Sequence, residues 1–243
     1  MITSKQNQLI KKIRSLDKKK FRDEENLYVV EGVKMVNEAV SLGQKIEYIV
    51  CTESASAFVV AGHYEITLVT DEIFDYLTNE VSPQGALAVI SKPDVKFSKP
   101  SNSCLLLDGV SDPANVGAII RTAVASGYRD LYLVDCADAY SPKAVRASMS
   151  GIYGVNVYTC NHDDFFKVMD LPLVVADMGG ENVFEFSLKE KFCLVIGNEA
   201  HGVSEKVRKV SKYVVSIPME KGMESLNASV SAGILMYALK NKF

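Results

Sequence analysis

Three stretches of the chain run from an apolar segment through a polar, glycine-bearing turn into a helical pattern. They read "LLLDGVSDPANVGAIIRTAVASG" (105–127), "LVIGNEAHGVS" (194–204) and "IPMEKGMESLNASVSAGILMYALK" (217–240). Each supplies groups able to orient a ligand: Asn115 and Arg121 in the first, Glu199 in the second, Ser225 and Asn227 in the third. Amides and hydroxyls fix the direction of hydrogen bonds, and a guanidinium holds anionic oxygens. Gly197 and Gly202 permit unusual backbone angles and close ligand approach. A purely structural account also fits. Ser225, Asn227 and Asn115 are good helix caps, and Arg121 suits an exposed salt bridge. Asn115 and Arg121 are six residues apart, about 600° of helix rotation, so they do not share a face exactly, though they could border one site if Asn115 lies in the loop.

The elements that must position these residues follow from pattern. "LYVVEG", "IEYIVC", "YEITLVT" and "GALAVI" read as strands, and "VKMVNEAVSLG" as a helix closed by Gly43. "SKPDVKFSKPSNS" carries Pro93 and Pro100 and reads as a linker. Beyond it, "CLLLD", "LYLVD", "LVVAD", "FCLVIG" and "YVVSIP" are nearly continuous apolar runs. Helical patterns fall at 115–126, 142–150, 162–169 and 224–240. Apolar strands alternating with helices predict a parallel sheet buried on both faces, with ligands at the carboxyl ends of its strands. The last helix places Leu226, Val230, Ile234 and Tyr237 on one stripe, with small residues crowding its first turns.

Composition narrows the class. A hydrophobic content of 48% in 243 residues is ample for packed cores. No apolar run reaches transmembrane length. The charged start, "MITSKQNQLIKKIRSLDKKK", lacks the apolar core of a signal peptide, and five scattered cysteines fit free thiols, so a cytoplasmic protein is expected. Three isolated histidines lack zinc-site spacing, so no metal is expected. No G-x-G-x-x-G follows a strand and no P-loop exists, which disfavours a nicotinamide-dependent oxidoreductase. Residues 1–22 carry +7, leaving −10 for the remainder against a total of −3. That asymmetry suggests an RNA-binding arm through Lys11, Lys12, Arg14, Lys18, Lys19 and Lys20. A solvated helix face anchored by Leu9, Ile13 and Leu16 is the other reading.

In this order the three segments resemble the three motifs of the SpoU/TrmH class of RNA ribose 2′-O-methyltransferases, in the SPOUT superfamily. "SPKAVRASMSG" is also similar to that class, bringing Lys143 and Arg146 to the RNA. "ENLYVVEGVKMVNEA" and "SPQGALAVI" resemble its substrate-binding N-terminal domain. Ala114 and Ala200 stand where glycine is usual, and His201 is atypical. The resemblance implies a ribosomal-protein-like α/β RNA-binding domain and a parallel-sheet C-terminal domain with a trefoil knot. The expected division is a basic arm (1–22), a substrate-binding domain (23–92), a linker (93–103) and a methyltransferase domain (104–243). It further implies a homodimer that uses S-adenosylmethionine, held by Ile196, Gly197, Ile217, Met219 and Leu226. Asn115, Arg121, Glu199, Ser225 and Asn227 would form the catalytic group. Ribosomal RNA is favoured over tRNA as substrate, and a non-catalytic RNA-binding protein of the same fold is the alternative.

Overall fold

A computed structural model describes residues 1–223 and 225–240. Position 224, the first residue of the helix expected over 224–240, lies outside the described residues. The chain forms two compact units: Met1–Pro93 with Tyr140–Tyr153, and Asp94–Ala139 with the chain from Gly154 onward.

In the first unit, β1 (Leu27–Glu31), β2 (Ile46–Thr52), β3 (Ile66–Val69) and β4 (Ala86–Ser91) form a sheet of order β1-β4-β2-β3. The β4 strand runs antiparallel to both neighbours, whereas β2 and β3 are parallel. The helix Val33–Ser41 starts at Gly32, whose φ of +102° favours glycine, and ends before Gly43 at φ +65°.

The basic segment is part of this unit and not a separate arm. Helices Gln8–Ser15 and Lys19–Glu25 carry it. Ile10, Ile13 and Leu16 are buried in one core with Val50, Phe74 and Leu87, and Ile2 bridges to Val69. Arg22 is also buried and donates to the Leu16 and Asp17 carbonyls at 2.6 and 2.7 Å. Burial of the apolar face outweighs any tendency of the like charges to extend the segment.

In the second unit, β5 (Cys104–Asp108), β6 (Asp130–Val134), β7 (Asn156–Cys160), β8 (Leu173–Asn182), β9 (Cys193–Gly197) and β10 (Tyr213–Ser216) form one sheet of order β10-β8-β9-β5-β6-β7. Every pairing is parallel. Of the residues expected to link the domains, all but Pro93 lie on this unit. Val95 packs on its core, Phe97 meets Tyr132 and Tyr158 edge-on at 6.0 and 5.9 Å, and the Tyr132 hydroxyl donates to the Ser98 carbonyl at 2.6 Å. All five cysteines are free thiols. No helix among the described residues is long and apolar enough to cross a membrane.

The last helix, Ala228–Lys240, departs from its expected packing. Its inward face is Ala228, Ala232, Leu235, Met236 and Leu239. Gly233 faces Thr122, and Met236 Sδ accepts from the Ser126 hydroxyl at 3.5 Å. Val230 and Tyr237, on the stripe read from sequence, are 50% and 51% exposed. The helix is apolar on two faces, and periodicity alone does not say which one its own chain covers.

Core membership of residues 1–22 has a measurable consequence. Ile10→Ala removes a fully buried side chain and is expected to destabilise the first unit by about 2–5 kcal/mol. Lys11→Gln next to it, on the exposed face, should change stability by less than about 0.5 kcal/mol. Urea denaturation of the two variants separates a core segment from a solvated arm.

Candidate active site

The three polar segments converge at the carboxyl ends of β5, β9 and β10. The helix Pro113–Ser126 is capped by Asp112, whose carboxylate accepts from the Ala114 N–H at 3.0 Å, with Pro113 in its first turn. Asn115 is therefore free of capping duty. It lies in the first helical turn, not the loop, and is buried. Its Nδ2 donates to Glu199 Oε1 at 2.8 Å, and its Oδ1 accepts from Asn227 Nδ2 at 3.0 Å. One residue from each segment thus joins a single chain of hydrogen bonds. Asn227 also starts the last helix, its Oδ1 accepting from the Ser229 N–H at 2.9 Å and from the Ser229 hydroxyl. Capping and site-building are one function of the same residue.

Glu199 is a carboxylate here. Burial opposes its charge, but the Asn115 amide, backbone N–H groups and the Ser111 hydroxyl outweigh burial and hold its pKa below the usual value. It is an acceptor that orients Asn115 and has no proton to give at neutral pH.

Beside this chain lies a cleft walled by Ile196, Gly197, Ile217, Met219 and Leu226, with Ser225 and Glu199 at its edge. All five residues expected on the cofactor side are brought together, together with Ser225. The cleft exists because backbone crowds backbone. A Cβ on Gly197 would come within 2.4 Å of the Gly202 carbonyl carbon, and one on Gly180 within 2.5 Å of Val215 backbone. Asn198 and Gly202 exchange two N–H···O bonds of 2.9 Å, folding the turn back on the strand end. Aliphatic walls beside exposed strand-end backbone suit a flat heteroaromatic ring with donors and acceptors on its edge. Small residues on the helix, Ala228 and Ser231, keep its approach open. The residues present therefore fit an adenosyl group.

Arg121 is not brought to the others. It is exposed, six residues along the helix from Asn115, and makes no hydrogen bond or ion pair among the described residues. The 600° of rotation read from the spacing accounts for this divergence. Lys143 and Arg146 belong to the first unit, as do the basic residues of 1–22. Lys12 pairs with Glu25 at 2.9 Å, Arg14 with Asp17 at 2.6 Å, Lys19 with Asp23, Lys20 with Glu24 at 3.8 Å and Arg146 with Glu80. Lys11 and Lys18 are exposed and have no salt bridge among the described residues.

Two further residues build the site. Asn198 donates to the Gly109 carbonyl at 2.7 Å and accepts from the Ala200 and His201 N–H groups at 2.9 and 3.0 Å. Asp108, only 3% exposed, accepts from the Ser204 N–H at 2.7 Å and lies 2.8 Å from His162 Nε2. Together they fix both ends of the turn that carries Glu199. Their sequence signal was position alone: each directly ends or follows a strand.

A parallel α/β sheet thus carries a cleft at its strand ends, bordered by amide and carboxylate groups from three separate segments. Residues 102–237 match the SpoU rRNA methylase family and residues 7–88 the MRM3-like substrate binding domain. The chain belongs to the SpoU rRNA methylase family. It is 30% identical, over 98% of both chains, to the 23S rRNA (guanosine(2553)-2'-O)-methyltransferase RlmP of Bacillus subtilis. The AdoMet-bound rRNA methyltransferase from Sinorhizobium meliloti superposes with a TM-score of 0.85 at 28% identity, covering 98% of this chain and 95% of that one. The SpoU methyltransferase AviRb from Streptomyces viridochromogenes, in complex with AdoMet, gives 0.82 at 25% identity, covering 96% and 97%.

The hydrogen-bond chain has a direction, and reversing it should show in pH dependence. In the wild type, the depressed Glu199 pKa contributes stability that is fully present above the ordinary carboxylate pKa and is lost as pH falls through the lower folded-state value. Asn115→Asp places a second carboxylate against Glu199, which raises the pKa of the pair. The folded variant then binds more protons than its unfolded chain. Its deficit in melting temperature relative to wild type is expected to be largest at neutral pH and to shrink below about pH 5. Thermal melts from pH 4 to pH 8 (roughly the span over which such a pair titrates) check this.

Proposed function

We propose that the protein transfers a methyl group from S-adenosylmethionine to a ribose 2′-hydroxyl of ribosomal RNA, working as a cytoplasmic homodimer. The observation that carries this reading is the hydrogen-bond chain Asn227–Asn115–Glu199 at the edge of a cleft lined by Ile196, Gly197, Ile217, Met219 and Leu226. The names of the relatives support the substrate: the Bacillus subtilis protein is a 23S rRNA 2'-O-methyltransferase, and two structural neighbours hold AdoMet.

The cofactor supplies a methyl group already activated by a positive sulfur. The protein has to hold that ligand, align the ribose oxygen and stabilise charge on it. Ile196, Ile217 and Leu226 would enclose the adenine, with strand-end backbone at Gly197 and Met219 reading its edge. Asn115, Ser225 and Asn227 would set the position of the ribose, with Glu199 fixing the Asn115 amide. Arg121 carries a permanent charge, so its role is to clamp phosphate and offset the developing alkoxide. Its exposure and lack of an internal partner leave it available to RNA. Val230 and Tyr237, apolar and half exposed on the last helix, support a second copy packing there. Lys11 and Lys18, exposed and without a salt bridge among the described residues, support phosphate contact.

The test is a pair of variants read by calorimetry and turnover. Wild-type protein, freed of copurified ligand, should bind S-adenosylmethionine without RNA or metal. Leu226→Arg should abolish that binding by placing a charge in the apolar wall. Arg121→Ala should bind the cofactor within about threefold of wild type and lose at least about 100-fold in methyl transfer, as expected of a group acting on the transition state. Failure of the wild type to bind, or substantial turnover by Arg121→Ala, would remove the reading or the role.

A further inference from the structure

The first unit holds a second cavity, of about 340 Å³, that the methyl-transfer chemistry does not use. It lies between the end of β1, the start of the helix Val33–Ser41, the loop 77–84 and the helix Pro142–Ser148. Val29, Met35, Leu77, Val145 and Met149 supply its apolar lining, beside polar and charged side chains. This volume suits one flat heterocycle with its sugar and is too small for a helix or a peptide strand.

Charge decides what such a cavity takes. Among the charged side chains lining it, Arg146 is paired with Glu80, Asp17 with Arg14, and Lys34 with Glu38 at 3.9 Å. Glu31 is the exception. Its carboxylate is half-buried and has no salt bridge among the described residues. Burial pushes its pKa up, with Glu80 adding to the rise, and the Thr78 hydroxyl, the Asn79 N–H and the more distant charge of Arg146 offset only part of that. A carboxylate partly stripped of water and not directly paired with a cation attracts N–H donors. It repels phosphate, so the RNA backbone is the wrong occupant for the interior.

Strain points to the same place. Met149, at the end of the helix Pro142–Ser148, has φ +49° and ψ −147°, a conformation that non-glycine residues avoid. Such strain persists where the surroundings enforce it, and it clusters at ligand sites. The strained backbone puts the Met149 side chain in the cavity wall, where Met35 also lies. Thioethers make favourable contacts with aromatic rings.

We propose that this cavity captures an unpaired guanine of the RNA substrate, its faces against Met35, Met149 and Val145 and its Watson–Crick edge on Glu31. Guanine is the base whose edge presents two adjacent N–H donors, N1–H and the N2 amino group, to the two oxygens of one carboxylate. Adenine and cytosine present a single amino group beside an acceptor, and uracil a single N–H. Unpaired bases in loops are the usual targets of sequence-specific RNA recognition. The cavity would therefore select which RNA is engaged, separately from the nucleotide that is methylated. This inference rests on the reading of the protein as an RNA-modifying enzyme.

The test uses the full chain without cofactor and single-stranded heptamers, oligo-uridine with one central guanosine, inosine or adenosine, at one fixed salt concentration. Binding by fluorescence anisotropy should favour guanosine over adenosine by about tenfold or more. Inosine, which lacks the N2 amino group, should fall between them. Glu31→Gln retains an acceptor for Thr78 but replaces half of the acceptor pair with a donor. It should erase the guanosine preference while leaving its melting temperature and its adenosine affinity near wild type. Equal affinity for the three heptamers, or a guanosine preference that survives Glu31→Gln, would overturn the proposal. If Glu31→Gln fails to fold, the wild-type series alone still decides. Since no cofactor is present, failure here is distinguishable from failure of the methyltransferase reading, which the calorimetric titration reports independently.

Discussion

Three segments distant in sequence become one site through two amides and a carboxylate. Asn227 donates to Asn115, and Asn115 donates to Glu199, so each group has a single workable orientation. A chain of this kind is strong only when complete, because each buried polar group left over carries its desolvation penalty. The carboxylate end gives the chain its polarity. With Glu199 ionised, the Asn115 amide must present nitrogen to it and oxygen to Asn227. The last helix can then begin only where Asn227 satisfies both Asn115 and the N–H groups of its own first turn. Helix start, strand end and site geometry are one constraint.

That constraint requires backbone segments closer together than side chains allow. Gly197 and Gly180 sit where any Cβ would overlap main-chain atoms of a neighbouring segment. Asn198 then closes the turn with its own side chain, and Asp108 ties the far end at Ser204. The cleft is thus bounded by main chain and aliphatic side chains, with its polar groups at the mouth. Such a surface can bind a nucleoside by its ring and leave the reacting end facing a ribose. The stability of the turn and the shape of the cleft have the same origin.

Much of this was legible in the sequence. The apolar runs at 104–108 and 192–197 became central strands because a parallel sheet covered on both faces needs nothing but apolar residues there. The β7 strand, Asn156–Cys160, was not visible: it is an edge strand in which Asn156 and Thr159 interrupt the apolar run. The helix Glu205–Val210 escaped for a similar reason, with one buried residue, Val207, in six. The placement of Tyr140–Tyr153 in the first unit depends on contacts far along the chain that no local pattern encodes. In the site, residue types and strand-end positions drew attention to Asn115, Arg121, Glu199, Ser225 and Asn227 alike, and the structure leaves Arg121 outside the hydrogen-bond chain. The partners and the roles of Asn198 and Asp108 needed coordinates, since a hydrogen bond between residues 84 or 112 positions apart leaves no trace in either segment alone.

Methyl transfer to a ribose oxygen leaves a chemical mark that methylation of a base does not. A 2′-O-methyl group blocks alkaline cleavage of the adjoining phosphodiester. Ribosomal RNA from cells lacking the gene, incubated with the protein and S-adenosylmethionine labelled in its methyl group, should yield the label in alkali-resistant dinucleotides after complete hydrolysis. Label released instead in mononucleotides would mean that a base receives the methyl group, and would contradict the account of this site.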